Sequence, residues 1–145
     1  MTRWLITLLV LAHLLINLLH GRAHAELGVG LNNWQQIFVI AVILIAPLIA
    51  AVLVWTRLDR FGLLLLILSM LGSLLFGVYH HYIAISNDHV SHLPPGVAQG
   101  MFRTTALLLV LSEVLGVLVG VLGLRTNAIV LAHEKHRVTE KSTQS

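Results

Sequence analysis

Between Ile37 and Trp55 the chain carries no polar side chain at all. A run of that length is unsuited to a soluble surface, and about 20 such residues in a helix cross the hydrocarbon of a bilayer. Three further stretches share its character. Trp4 to Leu19 is interrupted by Thr7, His13 and Asn17. Phe61 to Ile85 is polar only at Ser69, Ser73 and the His80-His81 pair near its end, and Ala106 to Leu124 only at Ser112 and Glu113. In lipid the backbone must satisfy its own hydrogen bonds, so the runs are predicted to be helices. They lack the period-two alternation of a membrane barrel strand.

The expected fold is therefore all-α: a transmembrane four-helix bundle, up-down-up-down, forming a single domain over 1–145. Its helices are expected at about 4–24, 33–56, 60–85 and 97–124, with a cytoplasmic tail at 125–145. Composition agrees. The 145 residues are 57% hydrophobic and 10% charged, whereas soluble domains carry roughly a quarter charged residues. With no cysteine, disulfides, iron–sulfur clusters and thiolate metal sites are excluded. So small a chain buries little core of its own, and self-association or a partner membrane subunit is expected.

Local punctuation marks the helix ends. Asn32-Asn33 and Asp59 are placed to cap the second and third helices. Pro94-Pro95-Gly96 breaks the chain before the fourth helix. Pro47 lies mid-way along the second and is expected to kink it. The basic residues then orient the bundle. Arg3 precedes the first helix, Arg57 and Arg60 flank the second-to-third turn, and Arg125, Lys135, Arg137 and Lys141 follow the fourth. The other side has only Arg22 and Arg103, so both termini are expected in the cytoplasm of a cell-membrane protein, in a bacterium the inner membrane. The net charge of +3 reflects this anchoring, with no basic face for nucleic acid. The tail is expected to stay helical for a few turns and fray from Lys141. The first run, ending in Ala23-His24-Ala25, also reads as a secretory signal with a cleavage site, which would leave three spans.

The polar residues inside apolar runs carry the functional information, because ionisable groups in a span usually mark a site. Seven of the nine histidines fall in the outer half: His13, His20, His24, His80, His81, His89 and His92. His133 and His136 are cytoplasmic. His13, Asn17, His20 and His24 share one helical face. Ser69, Ser73 and His80 form a similar stripe on the third helix, and at about 100° per residue His81 points away from it. A metal site is expected from His20, His24, His80, His81, Asp88, His89 and His92, since imidazole with carboxylate suits zinc or copper ions. No HExxH motif is present. The alternative is interfacial anchoring and a solvated loop, with no ligand role.

Glu113, near the middle of the fourth helix, needs a partner or a proton. His13 lies at a similar depth, and the two are expected to form a buried proton-accepting pair beside Asn17. The alternative is a Glu held by a serine as packing glue. Gly116 and Gly120 form a G-x-x-x-G on the Glu113 face, with Gly123 beside them, suited to close helix packing within or between chains.

Three functions fit. The first is a metal site near the outer side, for metal handling or metal-dependent chemistry; absent Cys and scarce Met disfavour Cu(I). The second is a haem b electron carrier with His13 or His20 and His80 as axial ligands, and Trp34, Tyr79 and Tyr82 beside a quinone. The third is a non-catalytic accessory subunit of a larger membrane complex. Whether a reaction is catalysed is open at this level.

Overall fold

The computed structural model describes residues 2–143, with side chains over 3–126. Among them there are no strands. Helix α1 covers Thr2–Leu27, α2 Asn33–Leu53, α3 Asp59–Ile83 and α4 Gln99–Thr143. All four contain segments long and apolar enough to cross a membrane. Large apolar side chains such as Leu8, Leu15, Ile40, Leu68, Leu75, Leu111 and Leu118 point outward. Such a surface is stable only against lipid or another apolar partner. α4 runs on past 124 as far as Thr143, through the tail expected to stay helical for a few turns; residues 144 and 145, and the His133 and His136 side chains, lie outside the described set.

The helix ends follow the local chemistry. Asn32 Oδ1 accepts the Gln35 N–H at 2.9 Å while Gln35 Oε1 accepts the Asn32 N–H at 2.8 Å, a reciprocal capping box. Asp59, expected to cap the third helix, is instead its first residue, with Leu58 before it as an N-cap that makes no side-chain cap bond; Asp59 Oδ1 accepts the Arg60 N–H at 2.8 Å. α1 stops at Gly28, whose φ of 66° is left-handed. Gly28 N–H donates to the Ala25 carbonyl and Val29 N–H to the His24 carbonyl, a Schellman closure that turns the chain back on α1.

Two segments are wound as π-helix, with bonds reaching back five residues. Val39–Ile45 lies just ahead of Pro47 in α2, and Tyr79–Ile83 ends α3, where the Ala84 N–H reaches the Tyr79 carbonyl. Where a kink was expected at Pro47, the chain thus has a widened stretch immediately before it, which gives room for a ring that clashes with the carbonyl four residues back.

α4 packs along α3 and α1, and α2 packs along α3. A Cβ placed on Gly123 would meet Leu63, one on Gly120 Ile67, and one on Gly116 Met70, so the glycine face of α4 is used within the chain. At one end Ile6, Val10, Ala50, Val54, Leu63, Leu66 and Met70 form an apolar core. There α1 and α2 are tied by the Trp55 Nε1–H bond to Thr7 Oγ1 at 3.0 Å and by the Trp4–Trp55 edge contact. At the other end Ala23, Leu27, Val29, Leu93, Ala98 and Phe102 form a second core. The buried polar groups lie between and beside these two cores.

Candidate metal centre

His20 and His24 are one turn apart on α1 and point to the same side. His81, from the π turn ending α3, meets them. His20 Nε2 lies 3.1 Å from His81 Nε2 and 3.2 Å from His24 Nε2. One ligand atom from each of the three lies within 4.8 Å of the others, close enough to share an ion. Metal–nitrogen bonds of 2.0–2.1 Å in a tetrahedron place ligand atoms about 3.3 Å apart, which matches the two measured separations.

The opposite ring nitrogens explain why the three Nε2 atoms converge. His24 Nδ1 is 3.1 Å from the Val29 carbonyl, which can only accept, so Nδ1 carries the hydrogen. His81 Nδ1 is 3.1 Å from the Asp88 carbonyl, with the same consequence. His20 Nδ1 is 2.9 Å from Thr105 Oγ1, whose own hydrogen goes to the Met101 or Phe102 carbonyl. Thr105 therefore accepts, and His20 Nδ1 donates. All three neutral rings then leave an Nε2 lone pair free, and His20 Nε2 stands within 3.2 Å of the other two. Lone pairs facing one another repel, and a cation between them removes that repulsion. Fixing the tautomer through the far ring nitrogen is how metal-binding histidines are oriented.

Asp88 adds negative charge. Its Oδ1 lies 3.3 Å from His24 Nε2 and 3.2 Å from His81 Nδ1. Because the His81 hydrogen is taken by the Asp88 carbonyl, this buried oxygen has no hydrogen bond of good geometry. Burial pushes the Asp88 carboxyl up, but the neighbouring imidazoles, His81 first, hold it below its usual range. The loop carrying it is pinned by the Val90 N–H to the His81 carbonyl at 3.0 Å and by Arg103 Nε to the Val90 carbonyl at 2.9 Å. The Phe102 ring packs beside the cluster, its centroid 4.6, 4.9 and 5.3 Å from those of His20, His24 and His81.

The other expected residues are placed elsewhere. His80 is half-buried against Phe76 and Tyr79, with Nδ1 3.5 Å from Gln35 Nε2. His81, rather than His80, joins the α1 histidines, from the π turn that ends α3. His89 and His92 pair with each other, Nδ1 to Nδ1 at 3.1 Å, and His89 Nε2 also reaches the Tyr82 carbonyl. His13, His20 and His80, the expected haem ligands, occupy three separate environments.

In place of the expected His13–Glu113 bond, each residue has partners of its own. His13 Nδ1 is 3.0 Å from Ser112 Oγ and Nε2 3.0 Å from Asn17 Nδ2, while Ser73 Oγ donates to Glu113 Oε1. Ser112 and Glu113 are adjacent and hence about 100° apart on α4, so one faces α1 and the other α3. Phe102, Thr105 and Val29 were not singled out from sequence. The first two fall on the buried stripe of α4 that continues through Leu109, Ser112 and Glu113, a signal in principle visible; Val29 gave none.

Comparison with known proteins found no match: no protein-family model, curated protein or solved structure is similar to this chain.

Proposed function

We propose that this chain is a multi-pass protein of the cell membrane that holds a zinc or copper(II) ion on His20, His24 and His81, with the Asp88 carboxylate beside them as balancing negative charge. The observation that carries this reading is the convergence of three Nε2 atoms whose rings are each anchored by an Nδ1–H bond. Interfacial anchoring does not account for it, since solvated histidines have no reason to turn lone pairs toward one another in a buried place. Imidazole and carboxylate donors, without sulfur, suit zinc or Cu(II).

The helices run up-down-up-down with both termini in the cytoplasm, which puts the Gly28–Asn32 connection, the Asp88 loop and the metal near the outer face. α1 is retained: removal after Ala25 would take away two of the three imidazoles. The ion serves metal handling or metal-dependent chemistry.

Elemental analysis of protein purified in detergent tests the assignment, with N-terminal sequencing on the same sample. About one zinc or copper per chain is expected, falling to near zero in His81→Ala. Metal-free protein that stays metal-free after incubation with either ion, followed by desalting, would falsify the proposal.

A further inference from the structure

The metal reading leaves Glu113 without a role. With Ser73 it lines a cavity of about 180 Å³ whose other end is formed by His20, His24, His81 and Asp88. The walls between are mostly apolar, built from Leu31, Val39, Ile43, Phe76, Leu109 and Val110, with Asn17 of α1 as a polar wall residue. Glu113 is 2% exposed, and while its Oε1 is taken by Ser73 Oγ, its Oε2 has no hydrogen-bond partner among the described residues. A buried carboxyl oxygen without a partner is costly. The terminal torsion of a Glu is soft, so a small rotation presents either oxygen to the cavity.

The chemistry of the walls selects the occupant. A hydrated ion needs a continuous run of polar groups along its path, and between the two ends Asn17 alone interrupts apolar walls. An apolar cavity of about 150 Å³ is known to accept benzene, so this one has room for a single ring. Both ends are rich in acceptors, a carboxyl group at one and imidazole nitrogens with Asp88 at the other. The way in is lateral. α1 contacts α2 through the Ala46–Leu53 segment, whereas the cavity lies beside Val39 and Ile43, where contact with α1 is sparse. A molecule dissolved in the membrane can enter there.

We propose that this cavity binds a lipid-soluble phenol or quinol, with one ring between the apolar walls and a hydroxyl donated to Glu113. The far edge of the ring faces the histidine cluster; only that last point rests on the metal reading.

Photolabelling in nanodiscs tests this, using a 4-alkylphenol that carries a diazirine and the matched alkylbenzene without the hydroxyl. The phenol probe is expected to label Val39, Ile43, Phe76 or Val110, and excess 4-propylphenol to displace it. Labelling should fall roughly fivefold or more in Glu113→Leu and largely persist in Glu113→Gln, consistent with the loss of one buried hydrogen bond. Equal labelling by both probes in the unaltered protein overturns the proposal even if Glu113→Leu fails to fold. So does labelling that 4-propylphenol cannot displace, or that is unchanged in a folded Glu113→Leu. Metal content is read on the same samples before and after chelation. Metal without phenol labelling sinks the cavity proposal alone, and phenol labelling without metal sinks the metal assignment alone.

Discussion

At the residue scale, the site depends as much on what holds the imidazoles as on the imidazoles themselves. Thr105 touches no ligand atom of the cluster, yet it accepts the His20 Nδ1–H at 2.9 Å and so keeps the His20 Nε2 lone pair available. Thr105→Val keeps the shape and removes the acceptor. Metal affinity, measured by competition with a chromophoric chelator, is expected to drop about 10- to 100-fold while helicity is unchanged. His80 and His81 form a sharper contrast, because they are neighbours with different surroundings. His80→Ala should leave metal stoichiometry as it is, whereas His81→Ala should abolish it. Equal loss in the two variants would mean that the π turn does not set their orientation.

At the scale of the element, two backbone devices place the ligands. The first is the close of α1. The left-handed Gly28 folds Val29 back so that its carbonyl meets His24 Nδ1 at 3.1 Å. An L side chain in that conformation costs about 1–2 kcal/mol. Gly28→Ala is thus expected to lower the unfolding temperature modestly and to weaken metal binding as well, because strain relief moves the carbonyl that orients His24. The second device is the π turn of α3, which brings His81 round while its own carbonyl accepts the Val90 N–H and anchors the Asp88 loop. Away from the site, α2 and α3 touch backbone to backbone. A Cβ at Gly62 would stand 2.9 Å from the Val54 nitrogen and 3.0 Å from the Ala50 oxygen. At Gly116 it would meet only the flexible Met70 side chain, at 2.7 Å. Gly62→Ala should therefore destabilise by about 1–3 kcal/mol, and Gly116→Ala by less, as read from thermal unfolding in detergent.

At the scale of the whole molecule, an ion bound at the proposed site would tie α1 to α3 through His20, His24 and His81. Chelation is expected to lower the stability of the loaded protein by on the order of 2–3 kcal/mol when free metal stands at about 100 times its dissociation constant. The same chelator should have no effect on His81→Ala. Orientation has its own measurement, made simple by the absence of native cysteine. An Asn87→Cys variant should react with an impermeant maleimide in intact cells, and an Arg57→Cys variant only after permeabilisation. The reverse pattern would place the metal centre on the cytoplasmic side.

The number and rough extent of the helices were legible in the sequence, because in lipid a long apolar run has no stable alternative to a helix. The stripe that carries His20 and His24 was legible too, since residues four apart on a regular helix share a face. The partner from α3 was not. Choosing His81 over His80 needed the π turn, and a π turn is set by how the helix end meets the following loop, to which a count of 100° per residue is blind. Likewise His13 and Glu113 shared a depth but not a partner, since depth follows from sequence position whereas facing follows from which helices pack together. Helices and polar stripes are local consequences of the chain. The convergence of three Nε2 atoms on one point, with Asp88 beside them, was decided only by tertiary packing, which alone sets the rotation of each helix about its axis.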